Sequence, residues 1–224
     1  ALFVMAKAPR AGAVKTRLCP PLSPGGAARL YRCFLLDVLE MAAEVPGVDP
    51  VVAYAPASAG PAFARLAGER FALMRQEGAD LGARLEHGFR TLFAAGYHAV
   101  AALSTDSPDL PPGFLLQAFA QLHRNPVVLG PCLDGGYYLI GLTRLIPEVF
   151  RHMPWSTPRV LPETEARLAR LGVPWARLPA WHDVDTAADL DRLIHELRDH
   201  RGERRAPRTA AFCARQLHAS RVPA

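Results

Sequence analysis

The sequence predicts an α/β domain with a mostly parallel central sheet that is covered by helices on both faces. Short apolar runs alternate with amphipathic helical patterns along nearly the whole chain, and this alternation is typical of βαβ units. The run "HAVAALSTD" lacks polar alternation, which indicates a strand buried on both faces. With 224 residues, of which 50% are hydrophobic, the chain can bury the core of one large domain.

The first half of the chain predicts four strands, each followed by a helix. A strand over residues 1–5 leads to a helix over 23–45, with Ser23 as its N-cap and Pro24 in its first turn. The apolar stripe of this helix consists of Leu30, Phe34, Val38 and Met41. The next three strands are predicted over 49–55, 70–76 and 98–106, and their helices over 59–69, 79–96 and 111–124.

The second half predicts the rest of the sheet and a change in composition near residue 200. Strands are predicted over 126–130, 135–142 and 173–179, and helices over 157–172 and 186–200. Residues 1–200 are therefore expected to form the domain. Residues 201–224 are expected to form a basic C-terminal appendage, with a short helix near 210–218.

The charge distribution argues against a nucleic-acid-binding protein. The formal net charge is +5, but residues 201–224 hold six arginines and one glutamate, so this segment carries the whole excess. Residues 1–200 are neutral, and the pI of about 9.3 describes the C-terminal segment.

Cysteine spacing and hydropathy point to a soluble, cytoplasmic protein. The four cysteines form neither a CxxC pair nor a zinc spacing, which predicts free thiols in a reducing compartment. No apolar run approaches the roughly 18–20 residues that a membrane span needs. The apolar start of the chain is too short and wrongly flanked for a signal peptide.

The loop after the first strand, "MAKAPRAGAVKTRL", contains both lysines of the chain, Lys7 and Lys15. Arg10, Gly12 and Arg17 lie in the same loop. An arginine-rich composition could place two lysines together by chance, but compact ammonium groups also suit point contacts with phosphate oxygens. The loop lacks the glycines of a Walker loop and of a GxGxxG fingerprint. It reads as a flexible basic loop at a strand exit, able to bind a diphosphate.

Acidic residues follow the predicted fourth and fifth strands. In "STDSPDLPP", Asp106 is expected to bind a metal or the substrate, and Asp109 to cap the next helix. A hard cation such as Mg²⁺, held by one or two carboxylates and substrate phosphates, would compensate such charges. In "LDGGYY", Gly135 and Gly136 indicate either a tight turn or a close approach of ligand to backbone, with Asp134 facing the site.

Two further segments admit two interpretations each. In "HDVDTAADL", Asp183 and Asp185 are positioned to serve the site, or Asp185 or Thr186 caps the last helix. Trp155 either stacks on a sugar ring or closes the core.

Six motifs occur in order across roughly residues 2–195. They are "MAKAPRAGAVKTRL", "QEGADLGARL", "TDSPDLP", "GPCLDGGYYLIGL", "PWSTPRVL" and "DVDTAADL". Together they resemble the uncharacterised glycosyltransferase family with the GT-A fold that includes the arsenosugar-biosynthesis glycosyltransferase. More distantly, they are similar to the nucleotidyltransferases that make molybdopterin guanine dinucleotide and guanylylated phospholactate. The resemblance implies a Rossmann-like GT-A fold, a three-layer α/β/α sandwich with a mostly parallel central sheet.

The resemblance also implies the roles of individual residues. The metal, Mg²⁺ or Mn²⁺, would be held by Asp106 of the D-x-P motif and by Asp185 of the late "DxDT" segment, with Asp183 as the open alternative. Asp134 would be the catalytic residue that orients or deprotonates the acceptor. The nucleotide and its phosphates would contact Lys7, Arg10, Gly12, Lys15, Arg17 and Asp80. The acceptor or sugar would contact Gly135, Gly136, Trp155, Ser156 and Thr157.

The function implied in this way is a metal-dependent glycosyltransferase that moves a sugar from a nucleotide-diphosphate-sugar donor to a small-molecule acceptor. One alternative is a nucleotidyltransferase, which would join a nucleoside triphosphate to a small phosphorylated acceptor with release of pyrophosphate. An alternative of another class is a non-catalytic nucleotide-binding protein. Neither a nucleic acid nor a membrane span is expected, and a homodimer is left open.

Overall fold

A seven-stranded sheet lies between two layers of helices. The computed structural model describes residues 1–198 and 205–219. The strands are β1 (Leu2–Lys7), β2 (Pro50–Ala55), β3 (Ala72–Arg75), β4 (Val100–Ser104), β5 (Val127–Pro131), β6 (Tyr137–Leu142) and β7 (Trp175–Arg177). The α-helices are α1 (Pro24–Ala43), α2 (Gly60–Ala67), α3 (Leu81–Ala94), α4 (Pro112–Leu122), α5 (Val160–Arg170), α6 (Ala187–Glu196) and α7 (Pro207–Ala219).

The strand order is β3-β2-β1-β4-β6-β5-β7. Strand β6 runs antiparallel to its neighbours β4 and β5, and the other neighbouring strands pair in parallel. The predicted α/β class with a mostly parallel sheet is confirmed. Because β1, β4 and β5 run in the same direction, the loops that follow them emerge at one edge of the sheet. The antiparallel β6 starts at that same edge.

Alternate residues of the buried strands face the two helical layers. Leu2 and Val4 of β1 pack with residues of α1, α2 and α4, whereas Phe3 between them packs with residues of α3 and α5. Phe3 meets Phe89 of α3 edge to face, with ring centroids 5.1 Å apart. The hydrophobic core therefore lies on both faces of the sheet and holds its strand ends in fixed positions.

Two of the predicted helix caps are confirmed and one is wrong. Ser23 Oγ accepts a hydrogen bond from the Gly26 amide at 3.1 Å, as predicted. Thr186 caps α6 in a capping box with Asp189. The prediction that Asp109 caps α4 is wrong, because the N-cap is Pro111 and makes no side-chain capping bond. The turn before α4 instead buries the Asp109 carboxyl, which is 1% exposed.

The described part of the C-terminal segment packs on the domain. Helix α7 lies against α1, and Cys213 and Ala206 join a buried cluster with Phe34 and Leu193. The sequence predicts an appendage here, yet residues 205–215 bury apolar surface, because their small and apolar side chains fit between α1 and α6. A domain boundary near residue 200 stays a prediction, and its flanking residues lie outside the described ranges.

The fold bears on two features predicted from the sequence, the state of the cysteines and the character of the helices. All four cysteines are free, as predicted. Within residues 1–198 and 205–219, none of the helices has the length and apolar character that a bilayer crossing requires.

Candidate functional site

A cleft of about 610 Å³ opens at the edge of the sheet where the polar loops meet. Its walls come from the loops that follow β1, β4 and β5, from the first turn of α3, and from the segments ahead of α5 and α6. Of the predicted site residues, ten line this cleft: Lys7, Lys15, Arg17, Asp106, Asp134, Gly136, Trp155, Ser156, Thr157 and Asp185. Residues far apart in the sequence are thereby brought into one pocket, as expected at the carboxyl edge of such sheets.

The ammonium of Lys15 lies between two carboxylates at the floor of the cleft. Lys15 Nζ is 2.5 Å from Asp106 Oδ1 and 2.9 Å from Asp185 Oδ1. The Lys15 side chain is 5% exposed, whereas the two carboxylates are 38% and 37% exposed. Arg17 approaches Asp185 from the open side at 3.6 Å. One buried cation therefore joins the strand-end aspartate to the aspartate that precedes α6.

The backbone of Lys15 is in the left-handed region, with φ 48° and ψ 40°. This conformation costs a non-glycine residue about 1–3 kcal/mol, so the surrounding structure must hold it. Buried side chains do so on both sides: Val14 packs against Ala28 and Tyr31 of α1, and Leu18 is fully buried. The Lys15 ammonium also lies 5.8 Å from the centre of the Phe34 ring.

The charge of Lys15 is stabilised despite its burial. Burial by itself would lower the pKa of the ammonium, but the carboxylates of Asp106 and Asp185 outweigh it and raise the pKa above its usual range. Lys15 therefore stays protonated and acts as the counter-ion of the pair.

A hydrogen-bonded network beneath the cleft ties β1, α1 and β4 together. The Tyr31 hydroxyl accepts from the Lys7 amide at 3.0 Å and lies 3.0 Å from Thr105 Oγ1. Tyr31 and Thr105 are both buried. The sequence predicts no role for either residue, since the neighbours of Tyr31 in sequence give no sign that its hydroxyl reaches the ends of two strands.

The predicted phosphate-binding residues divide into two groups. Lys7 and Arg17 line the cleft together with Lys15. Arg10, Gly12 and Asp80 do not line it. The Asp80 carboxylate instead caps α3 by accepting from the Ala83 amide at 2.8 Å. Their roles toward a nucleotide stay predictions.

Asp134 stands on a turn that only glycine can complete. Asp134 Oδ1 accepts a hydrogen bond from the Gly136 amide at 2.8 Å, which leaves Oδ2 without a described partner. Gly135 has φ 91°, and a Cβ at this position would lie 2.3 Å from the Pro158 carbonyl oxygen. The two glycines thus serve the tight turn, and the turn presents Asp134 to the cleft.

The segment ahead of α5 contributes Trp155, Ser156 and Thr157 to the cleft. The Trp155 ring meets the Tyr137 ring edge to face, with centroids 6.3 Å apart, and packs on the core. The Thr157 hydroxyl donates to the Pro154 carbonyl at 2.7 Å. Trp155 therefore closes the core with one side and lines the cleft with the other. Packing on the core is thus observed, and stacking on a sugar ring stays a prediction.

Asp183 adds a fourth carboxylate to the cleft. Burial, together with the nearby carboxylates of Asp134, Asp185 and Asp106, raises its pKa to about 6. Among the described residues, no group of three or more acidic, histidine or cysteine side chains could by itself hold a metal ion. The available metal ligands are therefore two carboxylates around one cation. This arrangement suits a metal ion whose remaining ligands are oxygens of the substrate.

Two further polar residues line the cleft, although the sequence predicts no role for them. Gln76 donates through Nε2 to the Ala6 carbonyl at 3.0 Å and to the Ala53 carbonyl at 2.7 Å, and so spans the ends of β1 and β2. The Tyr137 hydroxyl is buried and has no hydrogen-bond partner within the described part of the chain. Both residues lie in motifs that carry the family resemblance, "QEGADLGARL" and "GPCLDGGYYLIGL", but their neighbours in sequence do not indicate that these side chains reach the cleft.

Solved structures share this fold. A "putative nucleotide-diphospho-sugar transferase" from Desulfovibrio desulfuricans G20 is 33% identical, with a TM-score of 0.90 over 97% of this chain and 94% of that one. A CMP:2-keto-3-deoxy-manno-octonic acid synthetase complexed with CTP is 16% identical, with a TM-score of 0.54 over 86% of this chain and 95% of that one.

A third structure is that of a Mycobacterium tuberculosis H37Rv protein, Rv0371C, in complex with manganese. It is 16% identical, with a TM-score of 0.50 over 87% of this chain and 97% of that one. At 16% identity, this structure and the CTP-bound synthetase show a shared fold.

The fold is thus that of the nucleotide-diphospho-sugar transferases, in agreement with the resemblance drawn from the six motifs. No curated protein matches the sequence. A family model matches residues 38–157, about half of the chain. The chain belongs to the family described as "Uncharacterized protein conserved in bacteria (DUF2064)".

Proposed function

We propose that this protein is a metal-dependent glycosyltransferase that moves a sugar from a nucleotide-diphosphate-sugar donor to a neutral small-molecule acceptor. The observation that carries the proposal is the meeting of Asp106 and Asp185 around one cation at the floor of the cleft. Likeness to the D. desulfuricans protein supports the transferase class.

Asp106 and Asp185 are the residues that would hold the divalent ion, Mg²⁺ or Mn²⁺. The site fits such an ion, because its two carboxylate oxygens already converge on a positive charge. Mg²⁺ is commonly bound through one or two carboxylates and substrate phosphates. When bound, the ion would neutralise charge on the leaving nucleoside diphosphate. The manganese complex of a protein with this fold is consistent with a divalent ion at the site.

The cations of the cleft mark the side that would bind phosphates. Lys7 is the last residue of β1, Lys15 and Arg17 come from the loop after it, and Arg84 comes from α3. Among the described lining residues, the segments after β5 and ahead of α5 contribute no cation. A diphosphate would therefore lie toward the β1 loop, where its charges are compensated.

The part of the cleft around Asp134 suits an uncharged acceptor. Asp134 and Asp183 both line the cleft, and the Asp134 carboxylate is close enough to raise the pKa of Asp183. Two carboxylates would repel a phosphorylated acceptor, whereas Asp134 Oδ2 is available to accept a proton from a hydroxyl. In the proposed step the acceptor oxygen bonds to the sugar's anomeric carbon and its proton passes to Asp134. The bond from that carbon to the diphosphate breaks, and the diphosphate keeps the electron pair.

The second candidate is a nucleotidyltransferase. The same carboxylates and lysines could act on the α-phosphate of a nucleoside triphosphate, and a synthetase complexed with CTP shares the fold. The described lining residues after β5 and ahead of α5 include no cation. This favours the glycosyltransferase, because the alternative needs a site for a phosphorylated acceptor.

A thermal-shift screen separates these candidates. Nucleoside di- and triphosphates and UDP-, GDP- and ADP-sugars are tested with and without Mn²⁺, on the parent and on Asp185→Asn. The glycosyltransferase proposal expects the largest Mn²⁺-dependent rise in melting temperature with one nucleotide-sugar, and a smaller rise in the variant. Turnover with acceptor mixtures should then release a nucleoside diphosphate.

Pyrophosphate released from a nucleoside triphosphate would establish the second candidate instead. Tight nucleotide binding with no release of either product from any acceptor mixture would favour a non-catalytic nucleotide-binding protein.

A further inference from the structure

The gap between Asp106 and Asp185 holds one cation at a time. Lys15 Nζ lies 2.5 Å and 2.9 Å from their Oδ1 atoms. A Mg²⁺ ion bound to both oxygens at about 2.0–2.1 Å would need nearly the same position. The ammonium and the divalent ion therefore exclude each other.

We propose that Lys15 is a tethered counter-ion of this site: its ammonium holds Asp106 and Asp185 together until a divalent cation displaces it, and the displaced ammonium then binds a phosphate oxygen of the nucleotide. The inference rests on the proposed function, because it assumes that these two carboxylates hold the metal. It adds a competition between a residue of the chain and the metal.

The displacement is confined to the side chain. Val14 and Leu18 are buried on either side of Lys15, and the Leu18 amide donates to the Lys15 carbonyl at 3.0 Å. The backbone is thus anchored, while a lysine stem can rotate about each of its bonds. The cleft beside Lys15 provides the space into which the stem can turn.

The displaced ammonium needs a new partner. A buried charge without one is costly, and Lys15 is 5% exposed. A phosphate group held by the metal is the anion that would lie nearest. Metal and nucleotide would therefore bind tightly together and weakly apart, since the ion alone must displace Lys15 without supplying it a new partner.

Mn²⁺ binding without nucleotide tests the competition directly. Electron paramagnetic resonance measures the Mn²⁺ that remains free in the presence of each of four proteins: the parent, Lys15→Met, Lys7→Met and Asp106→Asn. Methionine keeps the length of lysine and removes its charge, and Lys7 is the matched control because it is exposed and makes no described carboxylate contact. We expect Lys15→Met to bind Mn²⁺ about tenfold more tightly than the parent, a scale set by one charge-assisted contact. Lys7→Met should match the parent.

The outcomes separate the inference from the function it rests on. If Asp106→Asn loses Mn²⁺ while Lys15→Met binds it no more tightly than the parent, the tethered counter-ion is wrong and the metal site stands. If Asp106→Asn binds Mn²⁺ as the parent does, even with nucleoside diphosphate present, Asp106 does not hold the metal. The proposed metal site and the inference are then both wrong.

A second measurement uses the parent protein and needs no variant to fold. Lys7 and Lys15 are the only lysines, so ¹⁵N-lysine labelling gives two side-chain ammonium signals in NMR spectra. Mg²⁺ should shift the Lys15 signal and speed its proton exchange with water, since the ammonium leaves its carboxylates. Saturation with Mg²⁺ that leaves the Lys15 signal unchanged would overturn the proposal.

Discussion

Asp37 of α1 anchors the C-terminal helix α7 through Thr209. Asp37 Oδ2 accepts hydrogen bonds from the Thr209 amide at 2.8 Å and from its hydroxyl at 2.7 Å. Asp37 Oδ1 accepts from the Arg208 amide at 3.1 Å. Because Asp37 is 1% exposed, its carboxylate depends on these donors. Helix α7 therefore compensates a charge that α1 buries.

Thr209→Val should lower the free energy of unfolding by about 1–3 kcal/mol, because it leaves a buried carboxylate short of one donor. Deleting residues 205–224 should cost more, since it removes every α7 donor to Asp37. Arg208→Ala is the matched control: its guanidinium is partly exposed and 3.4 Å from Asp37, so its loss should cost at most about 0.5 kcal/mol. Urea denaturation measures all three variants, and an unchanged midpoint on deletion would show that residues 205–224 do not stabilise the domain.

The strand and helix order could be predicted because each element carries its own local pattern. The Ser23 cap is an example, since the serine, the proline after it and the apolar stripe are neighbours in sequence. The Asp37–Thr209 contact joins residues 172 positions apart. In the sequence, Asp37 cannot be told from a solvent-exposed polar residue of the helix. The packing of α7 on α1 therefore could not be predicted.

The same distinction applies to the site. Asp106 could be placed at the cleft because it directly follows a buried strand, and Asp185 because it precedes a helix start. The Lys15–Asp185 contact spans 170 positions, and the sequence predicts phosphate, not carboxylate, as the partner of Lys15. Local patterns identify which side chains reach an edge of the sheet, while tertiary packing decides which of them touch.

Lys15→Arg and Lys7→Arg should differ in stability, although both keep the charge. Lys15 is enclosed between two carboxylates, and a planar guanidinium is broader than an ammonium. We expect Lys15→Arg to lower the free energy of unfolding by about 1–3 kcal/mol through overpacking. Lys7 is exposed, so Lys7→Arg should stay within about 0.5 kcal/mol. Equal unfolding midpoints for the two variants would contradict the enclosed position of Lys15.

The stability of the metal-free protein should depend on the protonation of Asp183. Burial, and then the neighbouring carboxylates, raise its pKa from 3.8 to about 6. The folded state thus holds this proton more tightly than the unfolded state. The stabilisation is complete below about pH 4 and is lost as the pH rises to about 6.

Asp183→Asn should therefore be more stable than the parent above pH 6, by on the order of 1 kcal/mol because water still reaches the carboxyl. The difference should shrink as the pH falls to 4. Unfolding titrations in chelator measure it, and a difference that grows toward low pH would contradict the raised pKa.

Gly135→Ala should disturb the turn that presents Asp134. The new Cβ would lie 2.3 Å from the Pro158 carbonyl oxygen, and φ is 91°, so both sterics and backbone strain oppose it. We expect a loss of about 2 kcal/mol or more in stability. Gly113→Ala in α4 is the control, since its Cβ would meet nothing within 4 Å and alanine favours helices by up to about 1 kcal/mol. A Gly135→Ala variant as stable as the parent would show that the turn relaxes.

Asp106 and Asp109 lie three positions apart in one motif, and their substitution should have different effects. Asp106 is partly exposed in the cleft beside Lys15, whereas Asp109 is 1% exposed and outside the cleft lining. Asp106→Asn should weaken Mn²⁺-dependent nucleotide binding by about 5- to 150-fold, corresponding to roughly 1–3 kcal/mol.

Burial raises the pKa of Asp109, so its ionised form costs stability. Asp109→Asn, which removes that charge, should keep nucleotide binding and stay as stable as the parent or more so near pH 7. Calorimetric titrations with nucleoside diphosphate and Mn²⁺, together with melting temperatures, test both substitutions. A loss of Mn²⁺-dependent binding in Asp109→Asn equal to that in Asp106→Asn would mean that the motif acts as one unit, and the assignment of the metal to Asp106 would be wrong.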